Sequence, residues 1–197
     1  MTKLFVRPWL PVCALVAAGL AASLAGQPAA APGTAPPDQD PVVSPAPGGT
    51  EERLLKLKLE LPPVTKPTNT LVNAVRVGDL LFVSGTGPGK GVVGRLGQDY
   101  DVAKGKEAAR QVGLQILSVV KAELGSLDKV QRLVKTLGMV NATPDFKQHP
   151  EVINGFSDLM VAVFGEENGK GARSAVGMAS LPGGIPVEIE CIFQVRK

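Results

Sequence analysis

The sequence predicts an α+β domain: a mixed β-sheet with two helices packed on one face. Three observations carry this. Two apolar runs with strand periodicity flank Gly78-Asp79 and read as an antiparallel hairpin. Two stretches with apolar residues at helical spacing follow, separated by another strand-like run. Two more strand-like runs then close the chain around Leu181-Pro182-Gly183-Gly184.

The elements follow in order. Thr50-Glu51-Glu52 starts a short helix, with the Thr50 hydroxyl as cap and two acids at the positive end of the dipole. Leu57, Leu59 and Leu61 alternate well enough for a strand instead, and Pro62-Pro63 ends the element in either case. Strands are expected over Leu71–Val77 and Leu80–Ser84, and a short one at Val92-Val93 inside a glycine-rich stretch. That stretch lacks G-x-x-x-x-G-K-[ST], so its glycines serve turns and close backbone approach rather than phosphate binding. Asp101 caps a helix over Val102–Leu124, whose stripe is Ala109, Val112, Ile116, Val119 and Val120 and whose stop is Gly125. A strand spans Val130–Val140. A second helix runs from about Pro150 to Phe164 with Val152, Phe156, Leu159, Met160 and Val163 facing inward.

Ahead of this domain, residues 1–26 read as a secretory signal peptide. Lys3 and Arg7 precede an apolar run, and small residues mark a cleavage site near Ala25. A retained anchor is the competing reading, because the run approaches spanning length. Residues 27–49 are rich in Pro, Ala and Gly and read as an extended linker, so the domain proper covers 50–197. The expected location is secreted or periplasmic, with no stable membrane span after cleavage.

Charge and composition narrow the function. A formal charge of +3 without basic–aromatic clusters argues against a nucleic-acid partner. One histidine, His149, and one cysteine left after cleavage, Cys191, cannot make an ordinary zinc site, and no cofactor or metal is expected. His149, before Pro150, suits a surface or capping role. Cys191 falls on the core side of the last strand and reads as an inert buried thiol.

The two closing strands carry the candidate chemistry. Val187, Ile189, Cys191 and Phe193 alternate with Glu188 and Glu190, while Arg173 alternates with Ser174, Val176 and Met178. With both apolar faces on the core, Arg173 and Glu188 project from one side of the sheet. Such a pair can hold a small carboxylate or form a plain cross-strand ion pair. The sheet's second face, with Val72, Ala74 and Ala175 beside Arg173 and Glu188, is too apolar for water and is expected to bury against sister subunits.

Four segments resemble the RidA/YjgF family, also called endoribonuclease L-PSP. They are Val75-Arg76-Val77-Gly78-Asp79-Leu80-Leu81-Phe82-Val83-Ser84-Gly85, Val152-Ile153-Asn154-Gly155-Phe156, Ala172-Arg173-Ser174 through Leu181-Pro182, and Val187-Glu188-Ile189-Glu190. The resemblance covers about residues 68–195, and the stretch from Glu51 to Pro62 is similar to a longer subgroup. It implies a chorismate mutase-like fold, a homotrimer whose sheets form a central barrel, and clefts between subunits. It implies hydrolytic deamination of reactive enamines and imines such as 2-aminoacrylate. Arg173 would then hold the substrate carboxylate, and Glu188 would orient or deprotonate the attacking water. The Ala175 main chain would position the substrate nitrogen, Ser84 would match the S-G at the site's edge, and Asn154 would match a substrate-binding asparagine at the start of the second helix. Leu71 stands where active deaminases carry tyrosine, Thr86 replaces the glutamine of S-G-Q, and Gly171 replaces a frequent proline.

Two function classes result: an enamine/imine deaminase, and a non-catalytic trimeric module whose cleft binds a small carboxylate such as a keto acid. A ribonuclease stands third, on the family label alone.

Overall fold

The computed structural model describes residues 49–67 and 70–197. The expected signal peptide, and the expected linker except Gly49, lie outside the described residues. The elements are α1 (Thr50–Lys56), β1 (Ala74–Val77), β2 (Leu80–Thr86), α2 (Val102–Leu124), β3 (Val130–Asn141), α3 (His149–Phe164), a one-turn α4 (Glu166–Gly169), β4 (Ala172–Met178) and β5 (Val187–Val195). The sheet runs β1-β2-β5-β3-β4; β3 and β4 are parallel and every other pair is antiparallel. This is the expected α+β architecture. The short strand at Val92-Val93 does not form, and β1 starts at Ala74 rather than Leu71.

Both long helices form for the expected reasons. Asp101 Oδ1 accepts from Lys104 N at 2.8 Å, and Gly125 ends α2 at a left-handed φ of 81°. On α3, Val152, Phe156, Leu159, Met160 and Val163 are buried against α2 and the sheet. Close approach depends on glycine at two points. A Cβ on Gly113 of α2 would meet Leu159, and one on Gly155 of α3 would strike the α2 backbone at Lys106. From the sheet, Leu81, Val83, Leu133, Val140, Val187, Ile189, Cys191 and Phe193 complete the core. Cys191 is buried as expected, and burial pushes its thiol pKa well up.

The first helix is capped differently than expected. Gly49 occupies the N-cap, Thr50 is buried, and the Glu51 N–H donates to Asp128 Oδ1 at 3.2 Å from the turn before β3. The Glu51 carboxylate accepts from Lys121 Nζ at 2.6 Å and from Leu127 N at 3.0 Å. With Leu54 buried and Leu59 and Leu61 packed on the core, α1 and the chain after it are part of the domain.

Two expectations about the sheet are corrected. The closing strands β4 and β5 are not neighbours, because β3 lies between them. Arg173 and Glu188 do not share a face. Arg173 pairs with Thr136, which pairs in turn with the core-facing Cys191, whereas Glu188 pairs with Met139 on the other side. Since laterally paired residues point the same way, Arg173, Ala175 and Gly177 lie on the helix face. Ser174, Val176 and Met178 lie with Glu188 on the outer face. The parity along β4 was read correctly, but its apolar side was assigned to the wrong layer. Ala74 and Ala175 likewise pack on the core rather than on the open face.

The outer face carries Val75, Val77, Phe82, Leu137, Met139, Val176, Met178 and Ile192 around Glu188, Glu190 and Lys135. No element of the described chain covers it, and Val75, Val77 and Phe82 are exposed.

Candidate functional site

The expected site residues fall into two groups on opposite faces. The first is built on β4 and α3. Arg173 Nη1 donates to Asn154 Oδ1 at 2.8 Å and to Ser157 Oγ at 3.0 Å. Asn154 and Ser157 are three residues apart on α3 and so stack on one side of the helix. They fix one nitrogen of the guanidinium, while its other donors remain available to a bidentate acceptor. The arginine is exposed, and no carboxylate of the described chain pairs with it. Ala175 lies two residues along the same edge strand. Such an edge leaves alternate N–H and C=O groups unpaired within the subunit. Ser157 was not anticipated; its position one helical turn from Asn154 is the signal that could have found it. His149 packs edge-to-face on Phe146 at 5.3 Å and sits over Gly177, a structural place at the start of α3.

The second group is built on β2 and β5. The ladder between them shifts register between Val83 and Thr86, which places Ser84 and Gly85 in an irregularity. The Glu188 carboxylate occupies the space that a Cβ on Gly85 would take, so glycine is required for the carboxylate to lie against this backbone. Desolvation raises the Glu188 pKa above the ordinary carboxylate value, and Glu190, two residues along the same face, raises it further. No cation of the described chain offsets these effects.

Ser84 is committed to structure. Its hydroxyl donates to the Val72 carbonyl at 2.7 Å and its N–H to the Asn73 carbonyl at 3.0 Å, tying the chain before β1 to the glycine turn. Thr86 Oγ1 donates to the Ser84 carbonyl at 2.9 Å. Glu188 therefore has a shaped backbone beside it, but Ser84 and Thr86 both spend their hydroxyl protons on main-chain carbonyls.

Together the groups offer an exposed guanidinium oriented by α3 and a carboxylate of raised pKa. Within one subunit the sheet separates them. Among the described residues no three His, Cys, Asp or Glu side chains gather to hold a metal ion, and no helix is long and apolar enough to cross a membrane.

Comparison with known proteins shows the family. A family model described as "YjgF/chorismate_mutase-like, putative endoribonuclease" matches residues 51–191. Protein TCP17 of Trypanosoma cruzi is 41% identical over 155 residues, covering 77% of this chain and 97% of that protein. Among solved structures, Atu1372 of Agrobacterium tumefaciens, of unknown function, is 41% identical with a TM-score of 0.68, covering 75% of this chain and 92% of the other. An endoribonuclease-named protein of Shewanella oneidensis is 27% identical with a TM-score of 0.71, covering 75% of this chain and all of the other. The match begins at α1 and runs through the Arg173 and Glu188 strands, and by it the chain belongs to the YjgF/chorismate mutase-like family.

Proposed function

We propose that the protein is a hydrolytic deaminase of reactive enamines and imines of the 2-aminoacrylate type, acting in clefts between the subunits of a homotrimer. The observation that carries this is the separation of Arg173 and Glu188 onto opposite faces of one sheet. A site using both requires the Arg173 edge of one subunit to meet the Glu188 face of another. The uncovered apolar outer face supplies a reason to associate.

In such a cleft Arg173, steadied by Asn154 and Ser157, binds the substrate carboxylate through paired hydrogen bonds. Glu188 accepts a proton from water as the oxygen attacks the carbon of the protonated imine, giving a carbinolamine. It returns that proton to the nitrogen, then takes the proton of the new hydroxyl as the C–N bond breaks, leaving ammonia and a keto acid. A carboxylate of raised pKa suits these transfers, because its two protonation states lie closer in energy near neutral pH.

A second reading is a carboxylate-binding module without turnover. The committed Ser84 and Thr86 hydroxyls favour it, since neither is left to donate to a ligand beside Glu188. An endoribonuclease activity rests on names alone. Export also remains part of the proposal, resting on the N-terminal sequence; an unprocessed N-terminus on the cell-derived protein would refute cleavage.

The discriminating experiment mixes two impaired proteins. Arg173→Ala and Glu188→Gln are each assayed for keto-acid release from freshly generated 2-iminopropionate, then unfolded and refolded together. Random reassembly restores about a quarter of the clefts if each joins two subunits. No recovery, from an active wild type, refutes the shared cleft. A wild type that releases no keto acid above background refutes the deaminase, and light scattering that gives a monomer refutes the assembly.

A further inference from the structure

A groove of about 630 Å³ opens beside the Glu188 half of the cleft. Pro62, Val64 and Leu71 line it from the chain before β1, Val119 from α2, and Gly85 and Lys90 from the glycine turn. Gly85, over which the Glu188 carboxylate lies, is also a wall of the groove. Space of this size belongs to pockets that take drug-sized molecules, and a three-carbon acid fills little of it.

The walls are tied to the strand that carries Gly85. Leu59 and Leu61 fasten the segment after α1 to the core, and prolines at 62, 63 and 67 restrict its backbone. Asn73 Nδ2 donates to the Thr65 carbonyl at 3.0 Å, and Ser84 donates to the Val72 and Asn73 carbonyls. A continuous set of hydrogen bonds thus runs from the proline segment to the residue preceding Gly85. The surfaces offered are mainly hydrocarbon, and Lys90 is exposed without an ion pair among the described residues.

Resting on the deaminase reading above, we infer that this groove is the side-chain subsite of the cleft. The preferred substrates are 2-imino acids with large apolar side chains, branched or aromatic, rather than three-carbon ones. Arg173 of one subunit takes the carboxylate, Glu188 of the next addresses the imine carbon, and the side chain extends from there between the proline segment and α2.

The test uses the assembled protein and two readouts. Calorimetric titration with pyruvate, 4-methyl-2-oxopentanoate, phenylpyruvate and 2-oxoglutarate compares affinities. Turnover compares kcat/KM for imines generated from alanine, leucine and phenylalanine. The expected result is a preference of about tenfold or more for the branched and aromatic acids over pyruvate. Val64→Trp and the more exposed Leu71→Trp, which fill the groove, bring the phenylpyruvate-to-pyruvate ratio toward one. Equal affinities, a preference for 2-oxoglutarate, or an unchanged ratio in both variants overturns the subsite while leaving the deaminase intact. Graded binding without turnover of any imine overturns the deaminase and leaves the subsite, and no binding of any 2-oxo acid overturns both.

Discussion

The Glu188 carboxylate lies against the backbone of Gly85, in the volume that a β-carbon would occupy. Gly85 has no left-handed φ, so alanine is conformationally acceptable there and the conflict is with the carboxylate alone. That carboxylate is the far end of a flexible side chain. Gly85→Ala is therefore expected to displace Glu188 while changing stability by less than about 1 kcal/mol. Activity is expected to fall up to about a hundredfold, as for other misplacements of an ångström. Thermal unfolding and kcat/KM measured on one preparation check this; parallel losses would show that Gly85 serves the fold rather than Glu188.

The pH dependence follows from the raised Glu188 pKa, caused first by desolvation and then by Glu190. The acid limb of kcat/KM is expected above the ordinary glutamate value of 4.5. Glu190→Gln removes the second cause and moves that limb to lower pH. The stability effect has a definite sign. The folded state holds this proton more tightly than the unfolded chain, so its stabilising contribution is full below the unfolded pKa and lost as pH rises through the folded one. Glu188→Gln should then melt above the wild type at neutral pH, with the difference shrinking on acidification. A Glu190→Gln profile that coincides with the wild type would discount the like-charge effect.

On the other half-site, the guanidinium is oriented by Asn154 and Ser157 rather than by an acid. Arg173→Ala is expected to raise KM for a carboxylate substrate by roughly ten- to a hundredfold, the usual loss of charged hydrogen bonds. Arg173→Lys recovers little, because an ammonium cannot form the paired contact. Ser157→Ala should raise KM a fewfold and leave kcat nearly constant, marking a positioning role. Steady-state kinetics over the three variants decides, and a Ser157→Ala enzyme that loses kcat at constant KM would contradict the assignment.

Glu51 ties α1 to the α2–β3 junction. Burial acts to raise its pKa, but the hydrogen bonds from Lys121 and Leu127 N outweigh burial and hold it below the ordinary value. The stabilisation is present above the unfolded pKa and lost as pH falls through the folded one. Glu51→Gln should cost about 1 kcal/mol near neutral pH, a modest figure because the pair is partly solvated. The gap to wild type should close in acid. Denaturant titrations at pH 7 and pH 4 make the comparison, and a gap that grows in acid would refute the sign.

Much of the fold was legible because its determinants are local. Asp101 and Gly125 bracket α2 by capping and left-handed geometry, the α3 stripe follows helical spacing, and Val187 to Phe193 alternate as a strand must. Arg173, Glu188, Asn154 and Ser84 were all named in advance by the residues that resemble the family. Their spatial grouping was not readable in this way. Periodicity orders side chains along one strand, but it does not say which face meets the helices or which strand lies alongside.

The chain's local chemistry therefore determined by itself the two long helices, the strand alternation and the buried stripes. Tertiary structure alone decided that β3 separates β4 from β5, which sends Arg173 to α3 and Glu188 to the uncovered face. It also decided that the proline segment walls a groove beside Gly85. Strand order and register are set by contacts between residues far apart in sequence, and a two-residue repeat fits either face equally well until those contacts form.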